Sequence, residues 1–153
     1  MSLFNSMNIS ASGLTAQRLK MDVISQNIAN ATTTRTAEGG PYQRRAVILE
    51  TSSVNTSFSS QLDRAMSRTD RGVSGGGGGV RVSGIVADQT PGVIVHDPTH
   101  PHANEDGYVI MPNVNIIEEM VNMISASRAY EANMTGISMA QAMIARTLEL
   151  SAS

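Results

Sequence analysis

NIIEEMVNMISASRAYEANMTGISMAQAMIARTLEL, residues 115–150, is the stretch whose reading decides the fold. Ile116, Met120, Met123, Ser127, Tyr130, Met134, Ile137, Gln141, Ile144 and Leu148 follow one another in steps of four and three. Most of these positions are apolar, and that spacing is a heptad seam, the pattern of coiled-coil-like packing. It predicts one helix, about 50 Å long at 1.5 Å per residue. Pro112 closes the region before it, Asn115 is placed to cap its N-terminus, and Glu118 stands where a capping box puts its acid. Small residues flank the seam: Ala126, Ala129, Ala132, Ala140, Ala142 and Ala145. They permit close approach on a second face, and Gly136 marks a kink or a close contact.

The other end of the chain carries a similar stripe. Leu3, Met7, Ala11, Leu14, Met21, Ile24 and Ile28 recur at helical spacing, with Gln17 the one polar interruption. Gly13 and the β-branched Val23, Ile24 and Ile28 weaken the intrinsic propensity, so packing must help to hold this helix. It is expected to be about 40 Å long and to stop at Asn30, before the run Thr32-Thr33-Thr34.

Between the helices the pattern changes. Gly39-Gly40-Pro41 signals a turn, and Tyr42 to Glu50 reads as a strand. Residues 51–79 are rich in Ser, Thr and Asn and end in five glycines, Gly75 to Gly79, with a short helical turn expected within Phe58 to Met66. Val80, Val82, Ile85 and Val86 suggest a second strand, Val93-Ile94-Val95 a third after Thr90-Pro91-Gly92, and Tyr108 to Met111 a last extended piece. The fold class is α+β. Two long terminal helices form an antiparallel, coiled-coil-like pair, and a small β-rich middle domain sits at one end of it. The expected divisions are 1–34, the N-terminal helix; 35–112, the middle domain with its glycine-rich loop 72–79; and 113–153, the C-terminal helix.

Composition narrows the function. Aromatic residues are 3% of the chain and Trp is absent, so little area is buried per residue. Such long helices are expected to order fully only in a larger packed body. The net charge of −2 leaves no nucleic-acid footprint, and Arg44 with Arg45, like Arg64, Arg68 and Arg71, reads as a solvated face. No stretch approaches the roughly 20 apolar residues that span a bilayer. No charged segment followed by an apolar one marks a cleavable secretory signal, which taken bare points to the cytoplasm. Cysteine is absent, which excludes disulfides and thiolate metal sites.

The cluster His96-Asp97-Pro98-Thr99-His100-Pro101-His102, with Glu105 and Asp106 nearby, has the residue types of a zinc site. Alternation with proline makes convergence awkward, and local hydrogen bonding in a stiff loop is the plainer reading. The glycine run leads into Val80-Arg81-Val82 and not into Gly-Lys-Ser/Thr before a helix, so it is a connector and not a phosphate loop. No nucleophile elbow is present. No catalytic residue, metal or cofactor is expected.

Several blocks carry a resemblance. Ala11-Ser12-Gly13-Leu14-Thr15-Ala16-Gln17-Arg18, Asn27-Ile28-Ala29-Asn30-Ala31-Thr32-Thr33 and Ser125 through Asn133 resemble the two ends of bacterial flagellar axial proteins. Gly39-Gly40-Pro41-Tyr42, Asp97-Pro98 with His100-Pro101, Gly107-Tyr108-Val109, Pro112-Asn113-Val114-Asn115, Glu119-Met120-Val121 and Thr147-Leu148-Glu149-Leu150 are similar to the proximal-rod family of the flagellar basal body, the FlgC type. His96 stands where that family tends to have an aromatic residue. The resemblance implies a structural subunit of the torque-transmitting rod. It also implies export through the flagellar type III apparatus without a cleaved signal peptide, and a place in the basal body across the periplasmic space. The implied partners are other rod subunits, neighbouring basal-body proteins and copies of itself, with no nucleic acid and no membrane span. On this reading the assembly interface is Leu3, Met7, Leu14, Met21, Ile24, Ile28, Ile116, Met120, Met123, Tyr130, Met134, Ile137, Ile144 and Leu148. The alternatives are a soluble helical adaptor or chaperone of a type III secretion or export system, and a small metal-binding enzyme built on the His loop.

Overall fold

The computed structural model describes residues 3–52 and 78–151. The expected helical turn in Phe58 to Met66, Arg64, Arg68, Arg71 and most of the glycine run lie outside the described residues. Helix α1 spans Leu3–Ala29 and helix α2 spans Ile116–Ser151. The strands are β1 (Arg45–Thr51), β2 (Val80–Ala87), β3 (Val93–His96) and β4 (Tyr108–Met111). Strands β1 and β2 form one antiparallel ribbon, β3 and β4 another. The α+β class and all six elements follow the sequence reading.

The helix ends follow from local chemistry. Asn115 Oδ1 accepts from the N–H groups of Ile117 and Glu118 at 3.1 and 3.4 Å, satisfying two donors the first turn leaves free. The Glu118 carboxylate makes no reciprocal bond, so the cap is an Asx cap and not a full box. At the end of α1, Asn30 Nδ2 donates to Gln26 O at 2.9 Å, and Ala31 N–H tightens onto Ile28 O. The chain then turns through Thr33, whose carbonyl receives the Tyr42 N–H at 3.0 Å.

The helices pack antiparallel. Asn27 bonds Glu119, Gly13 lies against Asn133, and Gly136 lies against Ser10. In each of these three pairs the residue numbers add to 146, so the register is constant along the pair. Leu3 therefore falls level with Met143, and the last two turns of α2 run past the described start of α1.

One sequence expectation is corrected here. The middle was expected at one end of the helix pair, yet the β1–β2 ribbon lies alongside α1. Its first end is tied to Asn27, which bonds both the N–H and the carbonyl of Arg45. Its second end is tied to Ser12, whose Oγ accepts the Val80 N–H at 3.0 Å. The lengths agree: fifteen helical residues advance about 22 Å, and the seven residues of β1 about 23 Å. Gly79 makes the second tie possible, because a Cβ there would collide with the Ser12 side chain. A bulge between Ile48 and Leu49 leaves Ser83 as the extra residue of β2. Only the β3–β4 ribbon sits where the whole middle was expected, beside the turn that follows α1, with His102 Nδ1 2.9 Å from Thr34 Oγ1.

The His96 loop is held by side-chain turns. Asp97 Oδ1 accepts from Thr99 N–H at 3.1 Å and from Thr99 Oγ1–H at 2.6 Å. These bonds hold the Asp97 carboxyl below its ordinary value of 3.8, the hydroxyl contributing most. A lowered folded-state value means stability that is present above the unfolded value and lost as pH falls through the folded one. Thr99→Val is expected to move Asp97 upward toward its ordinary value and to shrink this acid-side contribution. An NMR pH titration of the Asp97 carboxyl reads it; an unmoved titration would show that the hydroxyl does not matter.

Candidate assembly surface

A buried polar knot joins α1, β1 and α2. Asn27 and Glu119 are each 1% exposed. Asn27 Nδ2 donates to Glu119 Oε2 and to Arg45 O, both at 2.8 Å. Its Oδ1 accepts from Tyr42 Oη–H and from Arg45 N–H, both at 2.9 Å. That uses every donor and acceptor an amide side chain has. The other Glu119 oxygen takes Arg44 Nε at 2.9 Å and Nη2 at 2.7 Å, a two-pronged ion pair. Burial pushes the Tyr42 phenol up, the Arg45 cation opposes this and the Glu119 charge adds to it, so Tyr42 remains a donor. Asn113 completes the knot: its Oδ1 accepts the Arg44 N–H, and its Nδ2 donates to the carbonyls of Asp88 and Thr90.

The knot sets which faces of the helices meet. The buried row of α1 runs through Ala16, Val23, Ile24 and Asn27, and that of α2 through Glu119, Ala126 and Ala140. Gly13 and Asn133 join these rows; a Cβ on Gly13 would stand 3.0 Å from Asn133 Nδ2. The contact is thus made largely by small residues at helical spacing, which let the backbones approach.

The structure therefore divides the expected interface. Ile24 is buried between the helices, and Met7, Leu14, Met21 and Ile28 are half-buried. Leu3 begins α1. On α2, Met123, Tyr130, Ile137 and Ile144 are half-buried, seven residues apart and one step from the small row. Ile116, Met120, Met134 and Leu148 turn outward, between 43% and 63% exposed. Half of the expected stripe thus flanks the contact, and the other half, Met120, Ser127, Met134 and Gln141, stands one residue beyond the row Glu119, Ala126, Asn133 and Ala140. Ile117, Val121, Ile124, Met139 and Met143 widen that outer apolar surface. Sequence reasoning missed Asn27 and Glu119 as positioning residues. The available signal was a polar side chain at the last α1 position of a row that is otherwise small or apolar.

An apolar concavity of about 590 Å³ opens between the Gly40-Pro41 turn and the β3–β4 ribbon, lined by Ile94, His102, Tyr108 and Ile110 among others. His100 and His102 stand together, their ring centres 5.5 Å apart, while His96 is engaged elsewhere. His96 packs edge-on against Tyr108, with ring centres 4.9 Å apart. His100 Nδ1 accepts the His102 N–H, and His102 Nδ1 meets Thr34. Among the described residues no group of three or more His, Cys, Asp or Glu is arranged to hold a metal ion. No helix is long and apolar enough to cross a membrane, again among the described residues.

Comparison with known proteins bears on the same segments. The family described as "Flagella basal body rod protein" matches residues 7–35. The family described as "Flagellar basal body rod FlgEFG protein C-terminal" matches residues 105–150. The chain is 46% identical to the flagellar basal-body rod protein FlgC of Borreliella burgdorferi, over 98% of each chain. It is also 46% identical to the protein of that name from Bacillus subtilis, over 98% of this chain and 99% of the relative. For the protein of that name from Salmonella typhimurium the identity is 35%, over 98% of each chain.

Proposed function

The chain belongs to the flagellar basal-body rod proteins of the FlgC type, and from that premise we propose that the outer face of α2 is the surface by which it polymerises. It is a structural subunit of the proximal rod, and its work involves no catalysis. Other rod subunits, neighbouring basal-body proteins and copies of itself cover that face in the shaft that transmits torque. The subunit reaches its place in the periplasmic part of the basal body through the flagellar type III apparatus, without a cleaved signal peptide. Membership across 98% of the chain favours this reading over the soluble adaptor or chaperone.

One observation carries the proposal: Ile117, Met120, Val121, Ile124 and Met134 lie on one helix, and each is at least half exposed. The first four form one apolar patch over the first two turns and Met134 stands beyond Arg128 and Glu131; a soluble monomer rarely leaves so many large apolar side chains of one helix in water. Contacts that join unlike patches without closing a ring generate a helical tube. Met's unbranched side chain suits neighbours that differ in detail.

The test is Met120→Asp combined with Met134→Asp. Both side chains are at least half exposed, so the purified variant should keep its helix content and melt near the parent. In cells, burying two unpaired carboxylates at each subunit contact should stop rod growth. Basal bodies purified for electron microscopy read the outcome. Normal rods in that strain would remove the proposal.

A further inference from the structure

We propose that the cleft where α1, β1 and α2 meet is a receptor for one carboxylate side chain, an Asp or Glu presented by a neighbouring rod subunit. The inference rests on the assembly reading above and adds to it a site and a partner chemistry. The cleft holds about 150 Å³ and is lined by Lys20, Arg44, Arg45, Glu119 and Asn122 over a floor that includes Ile24 and Val47. Glu119 is the one acid in that lining, and both its oxygens are committed, to Asn27 and to Arg44. Arg44 and Glu119 therefore cancel, and two cations remain. Lys20 is half-buried and has no acidic partner among the described residues. Arg45 lies 5.9 Å from the Tyr42 ring centre and likewise meets no carboxylate among them. The Asn122 amide makes no hydrogen bond among the described residues.

The chain as a whole carries a net charge of −2, so this is a local reversal of sign in a recess. Low-dielectric walls strengthen the field of such a recess and attract an opposite charge. The volume is below the roughly 300–1,000 Å³ of small-molecule sites and suits the end of one side chain. The apolar floor fits the methylene groups of a Glu or Asp, the two cations its carboxylate, and the Asn122 amide supplies a neutral donor. A free anion would leave that floor wet. The hydrogen bonds of the knot use only the backbone N–H and carbonyl of Arg45; its side chain touches the knot only through the Tyr42 ring.

The experiment pairs charge reversal with suppressor selection. Lys20→Glu with Arg45→Glu should melt near the parent and reduce swimming by about tenfold or more, as loss of a complementary contact pair does. The neutral pair Lys20→Gln with Arg45→Gln tests the same loss without added repulsion, and Lys20→Arg should keep function. Motile suppressors of the reversed strain should exchange an exposed Asp or Glu of a rod subunit for Lys or Arg. Normal rods in both double variants would overturn the receptor. So would suppressors that never alter an acidic residue. Inorganic phosphate that raises the melting temperature of the parent, but not of the neutral pair, would mark a free-anion site instead. If the receptor variants assemble while Met120→Asp with Met134→Asp does not, the receptor alone fails. If all of them assemble, the polymerisation reading fails as well.

Discussion

Asn27→Leu is expected to cost about 3–5 kcal/mol of folding stability, because every group it serves is left with nothing to bond. The substitution roughly keeps the volume, so cavity effects are minor. It strands the Tyr42 hydroxyl, the Arg45 N–H and carbonyl, and one oxygen of a carboxylate that is 1% exposed. Each orphaned buried group costs about 1–3 kcal/mol, less what relaxation and water recover. A domain is typically stable by only about 5–15 kcal/mol, so the loss should approach unfolding at growth temperature. Urea unfolding followed by circular dichroism measures it. Asn30→Ala is the comparison: it removes an exposed bond to Gln26 O and a longer one from Thr33 Oγ1, and should cost about 1 kcal/mol or less. A loss for Asn27→Leu as small as that of Asn30→Ala would mean the knot holds nothing in place.

The second large effect is Ile137→Asp. Ile137 is half-buried on the flank of α2 nearest α1, and the constant register puts it level with Ile9, also half-buried. A carboxylate there loses water without gaining a partner, at a cost of about 2–4 kcal/mol. The helix pair should loosen over its distal half, toward the termini. The knot and the β3–β4 ribbon lie at the other end and should persist. Hydrogen exchange should therefore show lost protection around residues 3–15 and 130–144, with protection kept near Asn27 and Glu119. In cells the strain should not swim. This differs from Met134→Asp, only three residues away, where the side chain is 50% exposed and the fold should survive. Unchanged exchange in the Ile137→Asp protein would show that this flank does not hold the pair together.

Much of this architecture is legible in the chain because it is local. The four-three spacing and Asn115 mark α2, and short apolar, largely β-branched runs between turn signals mark the strands. The capping turn, the Thr90-Pro91-Gly92 break and the last extended piece at Tyr108 to Met111 are likewise sequence-neighbour effects. What was not legible is long-range. Asn27 and Glu119 are 92 residues apart, and periodicity carries no signal that an amide and a carboxylate will meet. The heptad stripe supplies half of the contact between the helices, Met123, Tyr130, Ile137 and Ile144, and the other half is the row Glu119, Ala126, Asn133 and Ala140. Counting apolar residues favours Met120 and Met134, whereas the backbones come together where side chains are smallest, at Gly13, Ala16, Ala126 and Ala140. Close approach is decided by volume as well as by hydrophobicity. The ribbon's position along α1 escaped for a related reason. It depends on two ties, at Asn27 and Ser12, whose spacing matches a strand only once both lengths are laid side by side.

The constant register gives the molecule a scale with its zero at the knot. A heptad-spaced seam presents similar faces one heptad apart, so its apolar packing discriminates registers less sharply than its polar bonds do. The Asn27–Glu119 bond and the Arg44 ion pair forbid a slide, because a shift of even one turn parts them. All length beyond the knot is therefore measured from one fixed mark. The reach of the α2 tip past α1 is then a matter of residue count and not of sliding. A subunit of this design could be made longer or shorter in whole heptads, about 10 Å each, without disturbing the strands. Reach and shape are thus set by separate parts of the chain.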